Sequence, residues 1–404
     1  MRLVIDGRRL TAQRTGVGRY LESLLHEWAE TRPPCEQMLL VLHDRSGLER
    51  IPPISGLQSL VVGERWPGLI WERFGLGRVL RAGDLLFAPA NFVPANWGGP
   101  TVLVIHDTIM DVMPTLFSRF QRLRYGWRFQ ARFRGAAREA LRVLVPSKTT
   151  ARDVQNVFGV DPRRIRVIPP GVDAGFRPMG SDADEVRHAR EAVGVGHEPF
   201  FLFVGKRSYR RNLQAIVAAF CEHRIDNPTH RLVFVGPSSD GMQSDPDRGV
   251  IVAGHVSEPV LHGLLASALA LLYPSHYEGF GLPMIEAMAS GCPVITLANE
   301  SITETAGDAP LYITQPTPAM IAAAMRDIAE DPGVRHDRVA AGLARARGFT
   351  RSMFASTVRA ELAEVAASLR ESRPTRGGVA ARAWAASGSP SAPSTGRGRG
   401  SQAP

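Results

Sequence analysis

Two glutamates, Glu278 and Glu286, stand with seven residues between them across a glycine-bearing turn. Leu271, Leu272 and Tyr273 read as the end of a buried strand, Gly279 and Gly281 allow a tight turn, Pro283 suits a helix start and Gly291 stops that helix. The spacing predicts Glu278 in the loop and Glu286 on the first helical turn. The amides of Gly281 to Met284 are then expected as donors at the helix N-terminus, an end that favours an anion, phosphate above all. An early glutamate alone could merely complement the helix dipole, but two carboxylates flanking the same glycines suit a molecule carrying both hydroxyls and phosphate. A sugar phosphate fits those donors and acceptors.

Other residues of chemical interest fall at expected strand ends. Gly16 and Gly18 lie in Arg14-Thr15-Gly16-Val17-Gly18-Arg19-Tyr20, a loop that opens a helix and lets backbone approach a ligand. By itself that motif suits a plain helix start equally well. His106 and Asp107 end the apolar run Val102 to Ile105, where a buried structural histidine is the competing reading. Lys206, Arg207, Arg210 and Arg211 put four cations within one strand-to-helix loop, suited to a diphosphate. Asp182, Asp184, Asp245 and Asp247 form two Asp-x-Asp pairs, read as loop carboxylates without an adjoining strand rather than metal ligands.

These residues need a scaffold that gathers strand ends. Strand-like runs over Leu3 to Asp6, Met38 to Leu42, Asp84 to Ala88, Thr101 to His106 and Val143 to Pro146 alternate with helical stretches, the first from Gly18 to about Glu30. After Pro169-Pro170-Gly171 and a polar stretch, the pattern restarts with Phe200 to Val204, Arg231 to Gly236, Val250 to Ala253, Ala268 to Pro274 and Pro293 to Leu297. Repeated strand and helix predict an α/β protein of two doubly wound parallel domains with a ligand in the cleft between them. A last helix over about 350–371 can lie across either domain.

The chain has 404 residues, 44% of them hydrophobic, enough for two cores, and no apolar run approaches the roughly 18 residues of a membrane span. Cys35, Cys221 and Cys292 are odd in number and lack metal-site spacing, so they read as reduced packing residues in a cytoplasmic protein. The net charge of +9 is confined to two places. Residues 371–404 hold five arginines against Glu371, and residues 119–142 hold eight against Glu139. Together these exceed the whole charge by two, so the remainder is nearly neutral. Residues 372–404, rich in Gly, Ser, Pro and Arg, are expected to be disordered. Residues 119–142 read as one amphipathic helix, its apolar face on the domain and Arg124, Arg128, Arg132, Arg134, Arg138 and Arg142 as a solvated stripe able to meet an anionic membrane. A basic nucleic-acid-binding protein is disfavoured by this distribution, which lacks interleaved aromatics in a recognition module.

From Leu3 to about Phe354 the chain resembles the retaining, nucleotide-sugar-dependent glycosyltransferases of family 4, also called group 1. The resemblance is carried chiefly by Glu278 to Glu286. It is supported by Asp6-Gly7-Arg8, Thr15 to Tyr20, Ile105-His106-Asp107, Ile168 to Asp173 and Glu304 to Ala309. It implies the GT-B fold, two Rossmann-like domains facing across a cleft. Residues 1–173 would be the acceptor-binding domain, 174–198 a linker, 199–349 the nucleotide-sugar domain and 350–371 a C-terminal helix. It also implies that Glu278 and the amides of Gly279, Phe280 and Gly281, with Leu282 beside them, hold the donor sugar. Glu286 would accept from the ribose, Arg207 and Arg211 would grip the diphosphate, and Gly16 and Gly18 would bring the first helix near that phosphate. His106 would lie near the reacting sugar. Position 211 departs from the family's usual lysine. The expected activity is metal-independent hexosyl transfer, with GDP-mannose favoured as donor, onto a glycan or lipid-linked acceptor of cell-surface polysaccharide at the inner face of the membrane. The alternative is a GT-B subunit that binds nucleotide sugar or a partner enzyme without turnover.

Overall fold

A computed structural model describes the chain except residues 12–15, 95, 118, 120–121, 123–126, 207, 238–240 and 372–404, and except the side chains at 69, 72–73 and 127–132. Two wholly parallel sheets organise it. In the first, β1 (Leu3–Asp6), β2 (Met38–Leu42), β3 (Leu57–Val61), β4 (Leu85–Ala88), β5 (Thr101–Val104), β6 (Arg142–Val145) and β7 (Ile165–Val167) run in the order 3-2-1-4-5-6-7. In the second, β8 (Phe200–Val204), β9 (Arg231–Val235), β10 (Val250–Gly254), β11 (Ala270–Tyr273), β12 (Val294–Leu297) and β13 (Leu311–Ile313) run in the order 10-9-8-11-12-13. The central strands are buried along their whole length, as continuous apolar runs require when helices cover both faces.

Each sheet reverses winding direction once, between β1 and β4 and between β8 and β11. At such a reversal the helices on either side diverge and leave a crevice beyond the strand C-termini. The predicted site residues follow β5, β8 and β11 or open the helices Gly16–Glu30 and Leu282–Ala289, so the fold gathers them at facing crevices.

Three readings change in the structure. Residues 174–198 are more than a linker: the helix Asp184–Val193 packs on Glu258–Ser267, and Ala189 and Val195 join the second domain's core. The basic segment is helical over Trp127–Glu139 but stops short of its expected end, since Arg142 opens β6. Nor is its charge simply a solvated stripe. Arg134 bonds Asp111, Arg138 donates to the carbonyl of Phe158, and Arg142 pairs with Glu361 and Glu364. Arg124 and the side chains of Arg128 and Arg132 lie outside the described residues.

The C-terminal helix Arg351–Glu371 returns to the first domain, where Phe354, Ala355, Val358, Leu362, Val365 and Ala366 complete its core against the helix Gly16–Glu30. Among the described residues no helix is long and apolar enough to cross a membrane.

Candidate active site

The stretch from β11 into the helix Leu282–Ala289 forms as the glycines suggest. Gly281 caps the helix at φ 88°, a left-handed conformation that a side chain disfavours. Glu286 is the fifth helical residue, so it sits on the second turn, not the first. Of the four positions expected to supply amides, Pro283 has none and Met284 donates to the carbonyl of Gly281. Leu282 lines the adjoining cavity, and Phe280 is buried with its ring edge-on to Phe349, which leaves its backbone for any ligand role.

Glu278 is buried in a cage of fixed donors. The Ser275 hydroxyl donates to Oε1 at 2.9 Å, Arg211 Nε lies 3.3 Å from Oε1, and Arg210 Nη1 lies 3.2 Å from Oε2. Burial would push its carboxyl up, but Arg211 and Arg210 outweigh burial and hold it below the usual range. Arg211, itself buried, also donates to the carbonyl of Val204 and the Tyr273 hydroxyl, and its guanidinium lies 5.0 Å from the Tyr273 ring centre. Gly205 makes that seat possible, because a Cβ there would fall 1.9 Å from Arg211 Nη1. Arg207, the other expected cation, lies outside the described residues.

Glu286 is the opposite case. Its Oε1 bonds Arg19 from the first domain, while Oε2 is buried with no hydrogen-bond partner among the described residues. Burial pushes this carboxyl above its usual range, Arg19 opposing in part. It lines a cavity of about 170 Å³ with Arg19, Glu258, Asp173 and Leu282 among its walls. A buried, unpaired carboxylate oxygen costs roughly 1–3 kcal/mol or more, so a hydroxyl donor entering that cavity would be well received.

His106 follows β5 and faces this assembly. Its Nε2 donates to the carbonyl of Pro89 at 2.7 Å, its ring meets Tyr20 edge-on at 5.0 Å, and burial lowers its pKa, favouring the neutral ring. The first domain touches the glutamate loop closely here: a Cβ on Gly279 would lie 1.8 Å from the His106 carbonyl oxygen. Gly18 is buried in the opening turn of its helix, whereas Gly16 is exposed with open space about it. The fold thus brings Glu278, Gly279 and His106 to one cleft, with Arg211 behind Glu278 and Glu286 reached by Arg19.

Several residues that close the cleft carry no sign of that role in the sequence. Ser147 Oγ and Thr150 Oγ1 donate to the carbonyl of Gly279, at 2.7 and 3.2 Å. Glu304 of the second domain accepts the amides of Lys148 and Thr149, at 2.6 and 2.9 Å, capping a first-domain helix from outside. Arg19 and Tyr277 adjoin recognised motif residues, but their partners lie far away in sequence.

Two family models match the chain, glycosyl transferases group 1 over residues 187–345 and glycosyltransferase family 4 over residues 14–176. The O-antigen chain mannosyltransferase B of Escherichia coli is 24% identical over 374 residues, 87% of this chain and 96% of the relative. The D-inositol 3-phosphate glycosyltransferase of Acidothermus cellulolyticus is 31% identical over 228 residues, 52% of this chain and only 50% of the relative. The chain thus aligns with about half the length of that relative. Anabaena HepE, solved in complex with UDP and glucose, superposes with a TM-score of 0.67 at 17% identity, covering 91% of this chain and 100% of that one.

Proposed function

The chain belongs to the family 4, or group 1, glycosyltransferases with the GT-B fold, and from that premise we propose that it moves a hexose from a nucleoside-diphosphate sugar to a glycan or lipid-linked acceptor. Retention at the anomeric carbon and independence from metal are part of the proposal. GDP-mannose is the favoured donor, a choice supported by the full-length likeness to a mannosyltransferase.

The observation that carries this reading is the buried Oε2 of Glu286, which has no hydrogen-bond partner among the described residues and lies beside a cavity, eight residues beyond the donor-held Glu278. In the proposed complex the ribose hydroxyls donate to Glu286, while the sugar hydroxyls meet Glu278 and the amides around Gly279, Phe280 and Gly281. Negative charge then grows on the departing diphosphate, where Arg211, Arg207 and the helix N-terminus at Leu282 supply fixed positive potential. The neutral ring of His106 would stand at the acceptor side, and the N-terminus at Gly16 and Gly18 near the phosphate. The acceptor is proposed to lie at the inner face of the cell membrane. Arg134, Arg138 and Arg142 have internal partners, so the proposed membrane contact does not rest on them.

The test is a thermal-shift panel of GDP-mannose, UDP-glucose, dTDP-rhamnose, UDP-N-acetylglucosamine and the free diphosphates, with EDTA present, on wild type and Glu286→Ala. A ligand bound only by the folded state raises Tm. The reading expects one nucleotide to stabilise wild type and to lose most of that effect in the variant. No stabilisation by any of them would count against it.

A further inference from the structure

We infer that Tyr277, held by Asp153 and Thr108, is a positioning residue that latches the two lips of the cleft and sets Glu278; the inference rests on the proposed donor site. The Tyr277 hydroxyl donates to Asp153 Oδ2 at 2.9 Å and accepts from the amide of Thr108 at 3.4 Å. Thr108 Oγ1 donates to the same Asp153 oxygen at 3.0 Å and lies 2.9 Å from the phenol. Tyr277 belongs to the second domain, and Thr108 and Asp153 to the first, so one phenol joins both.

Its neighbours give this joint a consequence for chemistry. Tyr277 directly precedes Glu278, and its carbonyl accepts from Arg210 Nη1 at 2.9 Å and from Ser275 Oγ at 3.1 Å, two groups that also hold the Glu278 carboxylate. Thr108 lies two residues beyond His106. Moving the ring would therefore shift the donor-side carboxylate relative to the acceptor-side imidazole. Tyr277 and Thr108 are buried, 7% and 2% exposed, so water does not readily replace the lost partner. Residues that merely fill space need no such shared acceptor across a cleft.

The test uses Tyr277→Phe and Asp153→Asn in the full chain. Spin labels go at Gln58→Cys and Asp226→Cys, exposed positions in opposite domains, with Cys221→Ser as background. The latch expects longer or broader interdomain distances in both variants. It expects kcat with GDP-mannose or UDP-glucose to fall about tenfold or more, while the thermal shift given by GDP or UDP stays near wild type. Unchanged distances in both variants overturn it, whatever the activity. Altered distances with loss of the nucleotide shift also overturn it, since the residue would then serve the donor domain's integrity. If no nucleotide sugar or diphosphate of the panel raises the wild-type Tm, the donor reading fails, and the distance result alone decides the latch.

Discussion

At the residue scale, the two glutamates differ by environment. Glu278 is surrounded by donors that favour its charged form, whereas Glu286 shares one arginine from the opposite domain and keeps a bare oxygen. Glu286 therefore binds a proton more readily folded than unfolded, and between its ordinary 4.5 and its raised value the folded state holds a proton that the unfolded chain lacks. Its contribution to stability is full below 4.5 and is lost as pH rises through the folded value. Glu286→Gln, which cannot titrate, should gain Tm on wild type across that rise, and parallel Tm-against-pH curves would contradict this. The same variant should weaken nucleotide binding about 10- to 100-fold, read by titration calorimetry, if the ribose uses this carboxylate. The glutamate pair was legible in the sequence because strand end, turn and helix are contiguous. Asp153 was not, because its cross-domain partner Tyr277 lies 124 residues away and only the tertiary fold joins them.

At the scale of elements, the glutamate loop is shaped by how closely it meets the first domain. A methyl on Gly279 cannot coexist with the His106 carbonyl, and Ser147 and Thr150 already hold the Gly279 carbonyl from the same side. Gly279→Ala should cost about 1–3 kcal/mol by overpacking or else part the domains. Either outcome lowers kcat, and a variant with wild-type Tm and wild-type kcat would refute the close approach. The central strands were legible because burial on both faces makes them unbroken apolar runs. The strands not legible in the sequence, β3, β7 and β13, are all sheet edges. Gln58 and Ser59 in β3 and Arg166 in β7 interrupt the apolar pattern where one side of the sheet is open. The helix Asp184–Val193 reads as linker in the sequence because only Val186 and Ala189 are buried in an otherwise charged segment.

At the scale of the whole molecule, the chain passes between domains twice, and the two passages are joined. The amide of Val172 donates to the Phe349 carbonyl at 2.8 Å, and a Cβ on Gly171 would lie 2.4 Å from the Thr350 carbonyl oxygen. Arg351 completes the joint, bonding Asp173 at 2.9 Å, Glu30 at 2.9 Å and Glu27 at 3.3 Å. It is also the first residue of the helix whose apolar side finishes the first domain's core. Ending the chain at residue 350 should therefore destabilise the first domain severely, whereas ending it at 371 should leave Tm nearly unchanged. A large loss on removing 372–404 would show that the tail docks. Arg351→Met tests the joint itself. Its guanidinium serves three carboxylates from two segments, and charge-assisted bonds of this kind contribute about 1.5–3 kcal/mol when partly buried. Without them the helix Gly16–Glu30 loses its ion pairs to the interdomain passage, so the first domain has less to hold it in register with the second. Calorimetry should then show the unfolding endotherm broaden or divide into two transitions, the earlier one belonging to the first domain. A single transition at wild-type temperature would mean that packing of Phe354, Val358 and Leu362 carries the coupling without Arg351.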